Sequence, residues 1–270
     1  MRELGIRTLS GAVYACLVIG SILLSPYAFA ILLLFVVVVG AFEMLRLQGV
    51  DHVGLRIMGM FWEALCYMLA ALVALDMLQN RWLVLEMVLV MLPFLLALFS
   101  KKTMFRPLAS AGYGMLFFLV LPAILMLLLY RSDIVGAFSG SKMMVLIFLL
   151  IWVNDIFAYL SGRLLGRHKL FERISPGKTI EGSLGGMVLT LVAIGIYCHY
   201  AEWISLPVAA GLVAIVVVFG TLGDLCESML KRQAGVKDSG KLMPGHGGVL
   251  DRFDSVFFVM PFLFAYILLV

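Results

Sequence analysis

Long apolar runs, broken by short polar turns, account for most of this chain. They fall at roughly residues 8–24, 27–47, 54–75, 82–99, 108–130, 142–162, 183–201, 206–230 and 251–270. Each is continuous, with none of the strict apolar–polar alternation of a barrel strand. A helix that crosses a bilayer takes about 20 mainly apolar residues, and each run is near that length. Helices also satisfy their own backbone hydrogen bonds, which lipid demands. The expected fold is therefore all-α, a polytopic integral membrane protein of about nine transmembrane helices. Ser25-Pro26 is a turn short enough for an antiparallel hairpin. The chain shows no internal repeat, no low-complexity tract and no linker long enough to separate domains. Its basic start and first apolar run resemble a signal peptide superficially. Without a small-residue cleavage site ahead of a soluble domain, they are read as the first spanning helix.

Composition agrees. Hydrophobic residues make up 63% of the 270 residues and charged ones 13%, where a soluble domain carries about 25% charged. The four cysteines, Cys16, Cys66, Cys198 and Cys226, lie in apolar segments without CxxC spacing. They read as small core residues rather than as a disulfide frame or a zinc site. With nine helices, 17 of the 20 lysines and arginines fall on the N-terminal side of the membrane. Only Arg81, Arg131 and Lys142 fall on the other. By the positive-inside bias, the N-terminus is expected to be cytoplasmic. Residues 1–140 then read as packing, lipid-facing and dimerising helices, and residues 141–270 as the half that carries the chemistry. No nucleic-acid partner is expected.

Polar residues concentrate in one stretch, from Asp224 to Asp254. There five acids (Asp224, Glu227, Asp238, Asp251, Asp254) interleave with five bases (Lys231, Arg232, Lys237, Lys241, Arg252) between two apolar runs. Asp224 and Glu227 are i and i+3 at the end of one helix, and Asp251 and Asp254 are i and i+3 at the start of the next. Two carboxylate pairs on neighbouring helix ends suit hard cations through oxygen ligands. The plainer alternative is that they only offset Lys231, Arg232 and Arg252. Between the pairs, Pro244-Gly245-His246-Gly247-Gly248 runs into a helix start, where free N–H groups favour anions. His246 is placed there for phosphate binding or proton handling. Asp155, in IWVNDIFAYLSGR, costs about 2.5–3.5 kcal/mol to keep at mid-helix on insertion scales, which argues for a role beyond pairing with Arg163. The loop Ser175-Pro176-Gly177-Lys178-Thr179 misses the P-loop pattern, yet Lys178 with Ser175 and Thr179 suits a phosphate. Arg163, Arg167, Lys169 and Arg173 are read as topology-setting and headgroup-facing bases. Glu43, Glu63 and Glu86 are read as pairing or interface residues.

Several of these segments together resemble a known signature. Ser228-Met229-Leu230-Lys231-Arg232, Lys237-Asp238-Ser239-Gly240, Pro244-Gly245-His246-Gly247-Gly248 and Leu250-Asp251-Arg252-Phe253-Asp254 are similar to the phosphatidate cytidylyltransferase (CDP-diacylglycerol synthase) signature. Gly223-Asp224-Leu225, the Asn154-Asp155 helix and the Ser175–Thr179 loop extend the likeness over roughly 150–255. The first 140 residues share only the polytopic character. Ile180 stands where an aromatic residue is expected, outside the signature.

The resemblance implies that CTP and phosphatidic acid give CDP-diacylglycerol and pyrophosphate with Mg²⁺, and with a second metal of unassigned identity. It implies Asp224, Glu227, Asp251 and Asp254 as metal ligands. Asp155, Lys178, Lys231, Arg232 and His246 become catalytic. Ser175, Thr179, Ser228, Lys237, Gly247, Gly248 and Arg252 become substrate-binding. Expected partners are CTP, phosphatidic acid, membrane lipid and a second copy of the chain as a homodimer. The expected location is the bacterial inner membrane, with the site on the cytoplasmic side. A CTP-dependent polyprenol or phytol kinase is the alternative enzyme. An ion-coupled transporter is the alternative of another class, disfavoured because the acids cluster at one edge without repeated halves.

Overall fold

The computed structural model describes residues 2–50, 52–99, 112–243, 245 and 247–270. The apolar runs form helices α1 (Arg2–Leu24), α2 (Pro26–Leu47), α3 (Val53–Ala74) and α4 (Leu83–Phe99). A bent pair follows, α5 (Gly112–Leu128) and α6 (Ser132–Phe138), turning by 86°. The second half holds α7 (Ser141–Leu165), α8 (Ile180–Tyr200), α9 (Leu206–Gln233) and α10 (Leu250–Leu269). Among the described residues, seven helices are long and apolar enough to cross a membrane, and the bent pair makes up to eight. Helix α4 has 17 residues, about 25 Å at 1.5 Å per residue, short of a hydrocarbon core about 30 Å thick. The chain is thus an all-α polytopic integral membrane protein. Of the expected spans, the run at 108–130 lies partly outside the described residues.

The turn between α1 and α2 works as its sequence suggests. Ser25 is extended and its Oγ accepts from Ala28 N at 3.0 Å, with Pro26 opening the helix. Such a cap satisfies one of the first free N–H groups, and proline at the first helical position loses nothing by lacking its own. Helix α2 is central: half of its span is buried, against 11% for α1. Phe29 of α2 meets Phe148 of α7, which also meets Trp152 and Phe253. Outward-facing residues are apolar too, with Leu24 78% and Leu164 80% exposed. Lipid tails explain that surface, where water would not.

Helices α7 and α8 pack closely through small residues. A Cβ added to Gly186 would lie 2.9 Å from the Ala158 Cβ, the small-residue contact that membrane helices favour. The segment joining them, expected as a loop, contains a two-stranded antiparallel hairpin. Strand β1 (Lys169–Phe171) pairs with β2 (Ser175–Thr179), Lys169 opposite Thr179 and Phe171 opposite Ser175. Glu181, in the first turn of α8, holds it down by accepting from Arg167 N (3.0 Å) and His168 N (3.1 Å). A three-residue strand and a five-residue partner holding Pro176-Gly177 have too little period-2 pattern to stand out in sequence.

The described bases divide between the two ends of the bundle. Arg131 pairs with Asp76 and Asp133 at one end, where Tyr130 also donates to Ile22 O at 3.1 Å. Lys142 lies beside Leu23 at that same end. Hairpin, α9 C-terminus and α10 N-terminus gather at the other end, with most of the remaining bases.

Candidate active site

At this second end, Asp224 and Glu227 come from the last turns of α9 and Asp254 from the second turn of α10. One carboxylate oxygen from each lies within 4.8 Å of the others. The i, i+3 spacing puts Asp224 and Glu227 on one face of α9, which packs along α10. Like charges at this range repel, by about 1 kcal/mol per pair in water and more away from it. Two lysines offset part of this. Asp224 accepts from Ser228 Oγ (3.2 Å) and pairs with Lys178 of β2. Asp254 Oδ1 accepts from Ser255 N at 2.6 Å. Glu227 is fully buried; its Oε2 meets Lys231 Nζ at 2.5 Å, and its Oε1 is buried without a hydrogen-bond partner among the described residues.

Asp251, expected beside these three, stands apart from them. Its Oδ1 receives Lys231 Nζ at 2.5 Å. Its Oδ2 accepts from Gly248 N (2.7 Å), Ser239 N (2.9 Å) and Ser239 Oγ (3.0 Å). Lys231 is 8% exposed and sits between Asp251 and Glu227. Of the four acids expected as metal ligands, three therefore group together, with Glu227 keeping one oxygen unmet, while both oxygens of Asp251 are engaged.

Two cavities lie at this end of the bundle, and Asp254 lines the second of them. The first, about 550 Å³, is lined by Arg7, Lys237, Lys241 and Arg252 with one acid, Asp238. The second, about 430 Å³, runs between α1, α7 and α10 past Tyr14, Ala15, Ile151, Trp152 and Ile156, with Asp155, Asp251 and Asp254 also in its wall. Both include Met243 and Arg252. The Arg252 Nε is buried without a partner among the described residues, and its carbonyl accepts from Tyr14 Oη at 3.1 Å.

The remaining expected site residues are spread around this centre. Asp155 opens onto the second cavity, with Lys178, Asp224 and Arg252 as its charged neighbours. The pairing with Arg163 is not made; Arg163 and Tyr159 are exposed. Lys178 reaches Asp224, and Thr179 Oγ1 caps α8 by accepting from Gly182 N at 3.1 Å. Ser175 sits at the far end of β2, opposite Phe171. Arg232 is exposed and donates to Val236 O at 3.0 Å. Lys237 and Gly247 line the basic cavity. Gly248 donates its N–H to Asp251. His246 lies outside the described residues.

Sequence reading missed Glu43, Ser239, Tyr14 and Arg7 as members of this region. Glu43, on α2, is 5% exposed and accepts from Val249 N (3.1 Å), Leu250 N (3.0 Å) and Ser239 Oγ (2.8 Å). An intramembrane acid was the only available signal, and nothing in spacing ties residue 43 to residues 239–250.

The sequence has counterparts among known proteins. Phosphatidate cytidylyltransferase of Staphylococcus aureus (strain COL) is 48% identical over 117 residues, 43% of this chain and 45% of that protein. The enzyme of the same name from Staphylococcus saprophyticus is 46% identical over 126 residues, 46% of this chain and 48% of its own. That from Staphylococcus haemolyticus is 49% identical over 121 residues, 43% and 45%. The matched stretch thus spans a little under half the length of each relative. The family model of the cytidylyltransferase family matches much further, over residues 5–270. That match takes in both the acid-bearing helix ends and the N-terminal helices that wall the cavities, and the chain accordingly belongs to the cytidylyltransferase family.

Proposed function

We propose that this protein transfers the cytidylyl group of CTP to phosphatidic acid, forming CDP-diacylglycerol and releasing pyrophosphate. A phosphate oxygen of the lipid forms the new bond to the α-phosphorus of CTP. The bond from that phosphorus to the bridging oxygen of the β-phosphate breaks, and its electron pair leaves with pyrophosphate. The lipid oxygen is already anionic, so no protein nucleophile is needed. The obstacle is charge, since both reactants are anions.

The observation that carries this reading is the pair of cavities joined at Arg252. The basic cavity, with Arg7, Lys237, Lys241 and Arg252, suits a triphosphate. The second cavity, with apolar α1 and α7 walls and the acids beside them, suits a phosphate on an apolar tail. Arg252 belongs to both, so its guanidinium can hold the two phosphates together and lower the repulsion between them. Lys178 and Lys231 sit on either side of the three acids and supply further positive charge. Asp155, open to the second cavity, is assigned an orienting role, and the Gly247-Gly248 backbone a phosphate-facing one. Thr179 and Ser175 belong to the same assignment through the hairpin that carries Lys178, and Ser228 through its bond to Asp224. Arg232 and His246 complete the expected phosphate-handling residues.

Asp224, Glu227 and Asp254 fit a resident Mg²⁺: they offer hard oxygen donors, and Glu227 Oε1 is buried and unpartnered. Bound there, the cation would screen the phosphates and stabilise charge as it builds on the leaving oxygens. In the proposed topology of nine spans, this end of the bundle faces the cytoplasm, across a bacterial inner membrane. CTP then arrives from water and the lipid from the bilayer.

Purified protein in detergent, given phosphatidic acid, Mg²⁺ and CTP labelled at the α- or γ-phosphate, tests this reaction. The α-label should enter the lipid as pyrophosphate appears. Entry of the γ-label would make the protein a lipid kinase, and entry of neither would sink the reading.

A further inference from the structure

We propose that Glu43, on a helix that supplies none of the acid group, is a positioning residue that sets how tightly the site holds its cation. The proposal rests on the reading of the site given above. Helix α10 begins without a cap from its own N-cap residue, since Val249 there has no side-chain acceptor. The first N–H groups of a helix need partners and favour a negative charge. Asp251 takes the Gly248 N–H, and Glu43 crosses from α2 to take those of Val249 and Leu250. The Glu43 carboxylate fits because Gly240 and Gly248 lack side chains. A Cβ on Gly240 would lie 2.7 Å from Glu43 Cδ, and one on Gly248 would strike both Glu43 oxygens.

The same carboxylate reaches Ser239, which is 1% exposed. The Ser239 hydroxyl lies 2.8 Å from Glu43 and 3.0 Å from Asp251, and its backbone N–H donates to Asp251. Asp251 in turn holds Lys231, and Lys231 holds one oxygen of Glu227. A connected series thus runs from α2 to the three acids: Glu43, Ser239, Asp251, Lys231, Glu227. Its consequence is a division of the Lys231 charge. With Asp251 held in place, Lys231 is shared, and Glu227 keeps Oε1 free. If Asp251 drifts, Lys231 turns further toward the three acids and competes with a cation for them. Loss of Glu43 should therefore weaken cation binding rather than merely loosen the fold.

Mn²⁺ binding to substrate-free protein in detergent, followed by electron paramagnetic resonance, reads this directly. The Mg²⁺ midpoint for turnover and the thermal unfolding temperature are measured on the same preparations. Hydrogen-bonding partners behind metal ligands are worth about 10–100-fold in affinity or activity. Glu43→Gln, which presents an amide to the helix N–H groups, should raise the Mn²⁺ Kd and the Mg²⁺ midpoint together by about tenfold. Ser239→Ala should move both in the same direction by less, and Glu43→Asp, which keeps the charge, should recover part of the loss. Unchanged Mn²⁺ affinity in folded Glu43→Gln, whatever happens to unfolding temperature or activity, would overturn the proposal. If Glu43→Gln does not fold, unchanged affinity in both Glu43→Asp and Ser239→Ala overturns it equally. Wild-type protein that binds no Mn²⁺ would instead remove the cation site on which the proposal stands.

Discussion

Two sets of acids lie side by side at one end of this bundle, and they differ in what surrounds them. Glu43 and Asp251 are rich in donors: three backbone N–H groups at the start of α10, Ser239 through its N–H and hydroxyl, and Lys231. Asp224, Glu227 and Asp254 crowd together with fewer, and Glu227 Oε1 has none. A carboxylate out of water is tolerable when its lone pairs are satisfied, and expensive when they are not. The first set therefore belongs to the scaffold, fixing a loop and a helix start. The second is poised for something that adds positive charge. Asp251 and Asp254, three residues apart on one helix, fall on opposite sides of this divide.

The sharpest way to break the comparison is to remove one charge from each set. Asp251→Asn leaves Lys231 buried with one partner fewer, and breaking such a pair typically costs about 3–5 kcal/mol. Its unfolding midpoint in detergent should drop accordingly, while turnover per folded molecule exceeds that of Asp254→Asn. Asp254→Asn relieves like-charge crowding, so the protein should unfold no earlier than wild type. Its turnover should fall by about 10²-fold, equivalent to several kcal/mol of lost charge stabilisation. Equal loss of stability in both variants would erase the distinction.

Smaller effects sharpen it at the hairpin. Thr179→Ala removes the α8 cap and should lower stability by about 1 kcal/mol, with Thr179→Ser restoring it. If Thr179→Ala instead raises the KM for CTP at unchanged stability, the hydroxyl touches substrate and not the helix end. Lys178→Met breaks a half-exposed pair with Asp224, which should change stability by less than about 1 kcal/mol. Its effect should appear in the KM for CTP.

Much of this architecture could be read from the chain. The apolar runs located the helices closely: the run at 206–230 is α9, Leu206–Gln233, and that at 27–47 is α2, Pro26–Leu47. The clustering of Asp224, Glu227, Asp251 and Asp254 correctly located the acidic end of α9 and α10. The spacing could not say that Asp251 faces Lys231 and Ser239 while Asp254 faces Asp224. Both lie in one helical turn, and the choice depends on a loop whose path sequence does not reveal. The 169–179 hairpin was hidden by strands too short to show a period. Glu43 was visible as an unusual acid in lipid, but its partners lie about two hundred residues away, joined to it only by packing of α2 against α10.

The central claim is that Asp224, Glu227 and Asp254 hold a divalent cation. Mn²⁺ titration of substrate-free wild-type and Asp254→Asn protein, followed by electron paramagnetic resonance, tests it most directly. The account predicts a saturable site in the wild type, at least about tenfold weaker in Asp254→Asn because an amide oxygen is a poorer ligand for a hard cation. Equal Mn²⁺ affinity in two well-folded proteins would contradict it.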